Sequence, residues 1–150
     1  MTIHEAYRFF ESLKTETTKK SEIKVYGKFL HILNELQSRE FSKDEIESIE
    51  AGLESLHLKS NPENRKQYFK KSLGKFEKFL MDNFSLTPKG YYTNIGIGLG
   101  TTFGILFGIV FLSGLERSLG IALGISTGMF IGLLIGRSMD AKAISEGKAL

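Results

Sequence analysis

The chain has no cysteine and no tryptophan, and only two prolines and three histidines in 150 residues. Without a thiol there is no disulfide, no thiolate nucleophile and no zinc-thiolate site. The histidines, His4, His31 and His57, are the only side chains with an ordinary pKa near neutrality, and they lie far apart in sequence. His31 and Glu35 are one helical turn apart, a spacing that by itself describes a solvated surface pair. His4-Glu5 lacks the second histidine that a metalloprotease helix needs. No nucleophile, base and orienting group can be assembled from these residues. The chain therefore reads as a non-enzyme, with no catalytic residue, no metal and no cofactor expected.

Charge is missing in a more specific way. Of the 37 Lys, Arg, Asp and Glu side chains, 30 lie in residues 1–90, whereas Tyr92 to Leu112 and Leu119 to Gly136 carry none. The mean hydropathy of −0.08 averages these unlike parts. A membrane-spanning helix needs about 20 apolar residues at 1.5 Å each. The two runs supply 21 and 18. The 11 Leu, Ile, Phe and Val side chains from Ile95 to Leu112 favour insertion by about 3 to 7 kcal/mol on the translocon scale. The start MTIHEAYRFF has no basic segment followed by an apolar one, so the N-terminal part is expected to stay on the side where it is made. Lys75, Lys78 and Lys89 precede the first run, Arg137, Lys142 and Lys148 follow the second, and only Arg117 lies between. That bias predicts both termini in the cytoplasm and the turn at Glu116-Arg117 outside.

What fills the uncharged runs is glycine at a fixed spacing. Gly96, Gly100, Gly104 and Gly108 sit four apart in the first run, and Gly120, Gly124, Gly128, Gly132 and Gly136 in the second. Glycine costs a helix about 1 kcal/mol per residue against alanine in water, so the pattern needs another cause. In lipid, apolar side chains gain nothing by leaving hydrocarbon for a protein neighbour, and helices associate where small residues let backbones touch. A four-residue step turns a helix by about 400°, so each stripe drifts about 40° per step. A crossed pair, near −40°, is expected. The drift should turn part of each stripe away from its partner helix, predicting hairpin packing plus lateral association into a homo-oligomer. Gly98 and Gly114 are expected to widen the zone of close approach. Thr101 and Thr102, and Ser126 and Thr127, fall near mid-membrane, where they can face each other. They act there either as interhelical or i−4 backbone hydrogen bonds or as a weakly polar pore lining. No Asp, Glu, Lys, Arg or His lies inside the runs, which argues against a proton relay or charged ion path.

The stretch from Tyr92 to about Gly147, with its paired GxxxGxxxG runs and the ending Gly136-Arg-Ser-Met-Asp-Ala-Lys-Ala-Ile-Ser-Glu-Gly147, resembles small bacterial glycine-zipper membrane proteins with two transmembrane helices. The resemblance implies close helix packing and a bacterial inner-membrane location. The glycine-zipper lipoproteins need a lipid-modified cysteine, which this chain lacks. Residues 1–87 carry no such resemblance.

The front part reads as about four amphipathic helices. Ile3, Tyr7, Phe10 and Leu13, with Phe9, line the first, and Thr15 to Lys20 ends it. Ile23, Tyr26, Phe29, Leu30, Leu33 and Leu36 line a second from Ser21 to Gln37. Ser42-Lys-Asp-Glu45 is a capping box opening a third, with Ile46, Ile49, Leu53 and Leu56 inward. Asn61-Pro62 is expected to start a fourth, lined by Tyr68, Phe69, Leu73, Phe76, Phe79, Leu80 and Phe84. Ser85-Leu-Thr-Pro88 repeats that start signal, predicting a membrane helix from Pro88 after a linker of three or four residues. The divisions are then 1–87, a cytosolic helical domain; 88–136, a transmembrane hairpin (about 88–112 and 119–136); and 137–150, a cytosolic tail. Residues 1–61 have net charge −2 (9 basic, 11 acidic) and residues 62–89 net +4 (7 basic, 3 acidic). Lys70, Lys71, Lys75 and Lys78 are therefore candidate contacts to lipid headgroups, with a solvated helix face as the alternative. No basic face with interleaved aromatics points to nucleic acid.

The fold class is all-α. The lipid bilayer, a second copy of the chain and a cytosolic protein or ligand are the expected partners. Two functions fit: a membrane protein that oligomerises through its glycine helices as a scaffold or pore-forming effector, with a cytosolic sensing or recruiting domain; or a membrane-anchored adaptor whose hairpin is only an anchor.

Overall fold

A computed structural model of the chain describes residues 1–60, 63–111 and 117–150. Six helices are found among them: α1 (Ile3–Glu16), α2 (Lys20–Gln37), α3 (Lys43–Ser55), α4 (Arg65–Phe84), α5 (Tyr91–Phe111) and α6 (Arg117–Ser145). There is no β-strand among the described residues. The chain divides into two compact units, Met1–Leu86 with Leu150, and Thr87–Ala149.

The first unit is a bundle. Both α1 and α3 open on capping boxes, in which the Thr2 and Ser42 hydroxyls accept the N-H of Glu5 and Glu45 and each glutamate reaches back to the cap N-H. That exchange satisfies donors that a helix start leaves unpaired. The expected apolar faces meet: α1 packs on α2, α2 on α4, and α3 on both α1 and α4. Aromatic rings fill the centre. Phe10 stacks on Phe29 at 4.0 Å between ring centroids and meets Phe69 edge-on at 5.6 Å, and Tyr26 meets Phe69 edge-on at 5.5 Å. Gly52 matters because an added Cβ there would lie 2.7 Å from the Phe79 ring, which needs that room to lie against α3.

Several boundaries differ from expectation. Ile46 is exposed, not inward: it lies in the run from Ser42 to Ser48 in which every side chain is exposed, and burial on α3 begins at Ile49. α4 starts at Arg65, with Asn64 accepting the Gln67 N-H. The expected start at Asn61-Pro62 lies outside the described residues. α5 starts at Tyr91, not Pro88. Ser85 closes α4 instead of opening α5: it adopts a left-handed conformation (φ 55°) and its N-H returns to the carbonyls of Leu80 and Met81. Gly90, also left-handed (φ 78°), turns the chain into α5. The linker is thus longer than three or four residues, running from Ser85 to Gly90.

In the second unit, α6 does not stop at Gly136 but continues through Ser145, so most of the expected tail is helical. Its end is a Schellman motif, in which left-handed Gly147 (φ 68°) donates to Ile144 and Lys148 donates to Ala143. The expected turn at Ser113 to Glu116, with Gly114, lies outside the described residues, as does the Arg117 side chain.

Candidate functional site

α5 and α6 form an antiparallel pair in which glycine backbones touch. A Cβ added to Gly96 would come nearer than 3.0 Å to the Gly132 carbonyl oxygen, a separation that real Cβ atoms essentially never show, and one added to Gly132 would do the same to Gly96. Gly100 and Gly128, and Gly104 and Gly124, form two more reciprocal pairs. At the ends, a Cβ on Gly108 would lie 2.5 Å from the Gly120 oxygen and one on Gly136 2.5 Å from the Tyr92 oxygen. Each four-residue step along α5 is matched by a four-residue step back along α6. In every pair the glycine Cα-H points at a carbonyl oxygen across the interface, the geometry of a weak Cα-H···O bond.

Two expectations about this interface change. The stripes do not drift out of contact, because partner stripes drift together and stay matched from Gly96–Gly132 to Gly108–Gly120. Gly98 does not widen the interface: a Cβ there would meet nothing within 4 Å.

The polar residues also behave differently. Thr101, Thr102 and Ser126 each donate to a carbonyl one turn earlier in their own helix, at 2.7, 3.0 and 2.9 Å (Ile97, Gly98 and Ala122). These three thus make the i−4 backbone bond, one of the uses expected of them. Thr127 is exposed and lines a groove. Among the described residues no hydrogen bond links the four across the two helices, whose closest approach is through glycine backbones.

One strong contact was not anticipated from sequence. The Asp140 carboxylate of α6 accepts the N-H groups of Tyr92 and Thr93, both at 3.0 Å, and the Thr93 hydroxyl. It thereby caps the start of α5, where unpaired donors and the helix dipole favour a negative charge. The Thr87 N-H donates to the Lys148 carbonyl at 2.8 Å nearby. Glu146 bridges Lys142 and Lys148, and the Lys148 ammonium holds the Glu146 carboxyl below its usual range.

The outside of the pair is apolar. Among the described residues, every large exposed apolar side chain except Ile46 lies between Ile95 and Ile144. Along one side runs a groove of about 710 Å³, walled by Phe103, Phe107, Ile131 and Ile135 and floored by glycine. The bundle has its own recess, polar and of about 620 Å³, lined by Glu16, Thr17, Lys19, Glu22, Asn64 and Arg65 among others. Glu22 is buried and accepts from Thr17. Lys70, Lys71, Lys75 and Lys78 are all exposed on α4. His4, His31 and His57 are exposed too, and among the described residues no three His, Cys, Asp or Glu side chains gather where they could hold a metal.

By length and composition, Tyr91–Phe111 and Ser118–Ser145 can each cross a membrane, with mean hydropathy of 1.7 and 2.0 over their most apolar windows. Those windows are only 11% and 22% buried by the rest of the chain. No family model, no curated protein and no solved structure matches the chain.

Proposed function

We propose that the protein is a non-enzymatic integral membrane protein whose α5–α6 hairpin crosses the bilayer twice and holds the helical bundle at the cytoplasmic face, where the bundle binds a protein or ligand. The observation that carries this reading is the low burial of two long uncharged helices. A core helix of a water-soluble protein hides its apolar surface among neighbours, whereas these helices touch each other through glycine and turn their Phe, Leu and Ile side chains outward. In water that surface is an aggregation liability; in lipid it is the solvent-matched face. The Lys and Arg bias supports both termini on the cytoplasmic side, and the resemblance to bacterial glycine-zipper membrane proteins is what suggests an inner membrane.

A second reading, assembly into a scaffold or pore, draws on the groove beside the glycine pairs, where a neighbouring chain would find a partly open glycine floor. Because the stripes are matched within one hairpin, the anchor reading needs no second copy and is preferred.

Single cysteines at Ser113 and Ser145, treated in intact cells with a membrane-impermeant thiol reagent, test the topology. Labelling at position 113 alone is expected; labelling at 145 alone inverts it. Failure of the full chain to resist alkaline extraction from liposomes refutes the membrane reading. Mass photometry in nanodiscs separates the two functions: one chain per disc supports the anchor. A higher mass that Gly104→Ile and Gly128→Ile lower, together with dye release from liposomes that they abolish, supports the pore.

A further inference from the structure

Charge in the bundle is sorted by helix. α3 carries Asp44, Glu45, Glu47, Glu50 and Glu54 against the single Lys43. α4 carries Lys66, Lys70, Lys71, Lys75 and Lys78 on the side away from the core, all five exposed, while Phe69, Leu73, Phe76 and Leu80 fill the other side. None of the five is in an ion pair among the described residues. Two acidic groups share the helix: Glu77 is half-buried, and Asp82, exposed one turn beyond Lys78, ends the stripe on the linker side, so lysine still outnumbers exposed acid on α4 by five to one. A helix face kept soluble by charge ordinarily mixes both signs. This one is dominated by lysine: Lys66 and Lys70, and then Lys71, Lys75 and Lys78, follow at three- and four-residue steps within one half of the cylinder.

The stripe belongs to the helix that leads into the hairpin. Only Ser85 to Gly90 separate α4 from α5, a stretch that reaches at most about 20 Å when extended. Tyr91 and Tyr92 then open α5, the residue type that settles at the headgroup level. If α5 enters a membrane at Tyr91, the end of α4 is tethered within that distance of the headgroups, and a second weak contact there becomes effectively intramolecular.

We infer that the lysine face of α4 docks on anionic phospholipid headgroups of the leaflet from which α5 departs. This rests on the membrane reading of the hairpin. Each ammonium near an anionic leaflet shifts the docked population by about fivefold, so four of them acting together make docking the dominant state, and salt weakens it within a Debye length.

The experiment uses the full chain in nanodiscs made either of phosphatidylcholine alone or with added phosphatidylglycerol. Because the protein has no cysteine, Gly74→Cys gives a single dye site in the middle of the stripe, where an added side chain meets nothing within 4 Å. Quenching by a nitroxide carried on a lipid headgroup reports docking, and a dye at Ser48→Cys on exposed α3 is the control. The expected result is strong quenching at position 74 only in the anionic discs, reversed by high salt and lost in the Lys70, Lys71, Lys75, Lys78→Gln variant, whose helicity is checked by circular dichroism. Equal quenching in both disc types overturns the inference. So does a response at position 74 to an added DNA duplex with none to anionic lipid. A chain that does not co-purify with discs of either kind removes the membrane reading itself, and this inference with it.

Discussion

Adding one methyl group at Gly104 should open the hairpin, whereas the same methyl six residues away at Gly98 should not. At Gly104 the new Cβ meets the Gly124 carbonyl oxygen closer than 3.0 Å, followed by the Gly124 carbonyl carbon at 2.9 Å and the Gly128 Cα at 3.1 Å. All three are backbone and cannot swing aside, so the helices must part. A gap of about 1 Å forfeits a quarter to a half of each dispersion contact of 0.1–0.2 kcal/mol, or roughly 2 kcal/mol over a few tens of atom pairs. The two reciprocal Cα-H···O contacts at this step add about 1–2 kcal/mol. Alanine's better helix propensity returns about 1 kcal/mol, which leaves a net loss near 2–3 kcal/mol. At Gly98 only the propensity gain remains. Hairpin unfolding is followed by energy transfer between dyes on cysteines at Asn94 and Ser138 during titration of mixed micelles with dodecyl sulfate. Gly104→Ala should unfold at distinctly lower dodecyl sulfate than wild type, and Gly98→Ala at the same or higher. Coincident curves for the two variants would refute the glycine interface as the force that closes the hairpin.

Asp140→Ala removes the acceptor for two backbone N-H groups and one hydroxyl, and should cost the hairpin about 1–2 kcal/mol in the same titration, with Asp140→Asn intermediate. In the bundle, the Tyr26 hydroxyl is fully buried without a hydrogen-bond partner among the described residues, so Tyr26→Phe should raise stability by about 1 kcal/mol in a thermal melt. Burial pushes the Glu77 carboxyl above its ordinary value, partly offset by Lys28. The folded state therefore binds the proton more tightly than the unfolded chain, and stability falls as pH rises from the unfolded value of 4.5 through the higher folded one. Glu77→Gln should match wild type at pH below that window and exceed it at pH 7; a variant less stable than wild type at pH 7 would contradict the desolvation account.

The parts of this fold legible in sequence are those whose cause is local. Amphipathic spacing placed the cores of α1, α2 and α4, and Ser42 with Glu45 announced the start of α3 because a capping box is complete within four residues. The start of α5 is not legible locally because its cap is Asp140, on another helix, whereas Ser85 and Thr87 sit where a local rule expects one. The end of α6 carries a local signal, Gly147 after a lysine-bearing last turn, whereas the loss of hydrophobicity after Gly136 marks only the end of the apolar run. The matched register of the glycines was not legible at all: one helix's pattern shows which face is small, but the pairing appears only once both helices are in place.

That pairing bears on what the hairpin is for. In lipid, small residues are the means by which helices associate, and a stripe spent inside one chain is not free to recruit another. From Gly96 to Gly108 on α5 the close backbone neighbours are those of α6 in the same molecule. A second copy approaching from the groove side meets Phe103, Phe107, Ile131 and Ile135 first, and must displace lipid tails that are as apolar as its own side chains. Apolarity gives it no advantage there, and only shape does. In the anchor reading proposed above, a hairpin that closes on itself and faces outward with bulky side chains needs no second copy, and assembly would have to come from a partner shaped to the groove or from the bundle outside the membrane.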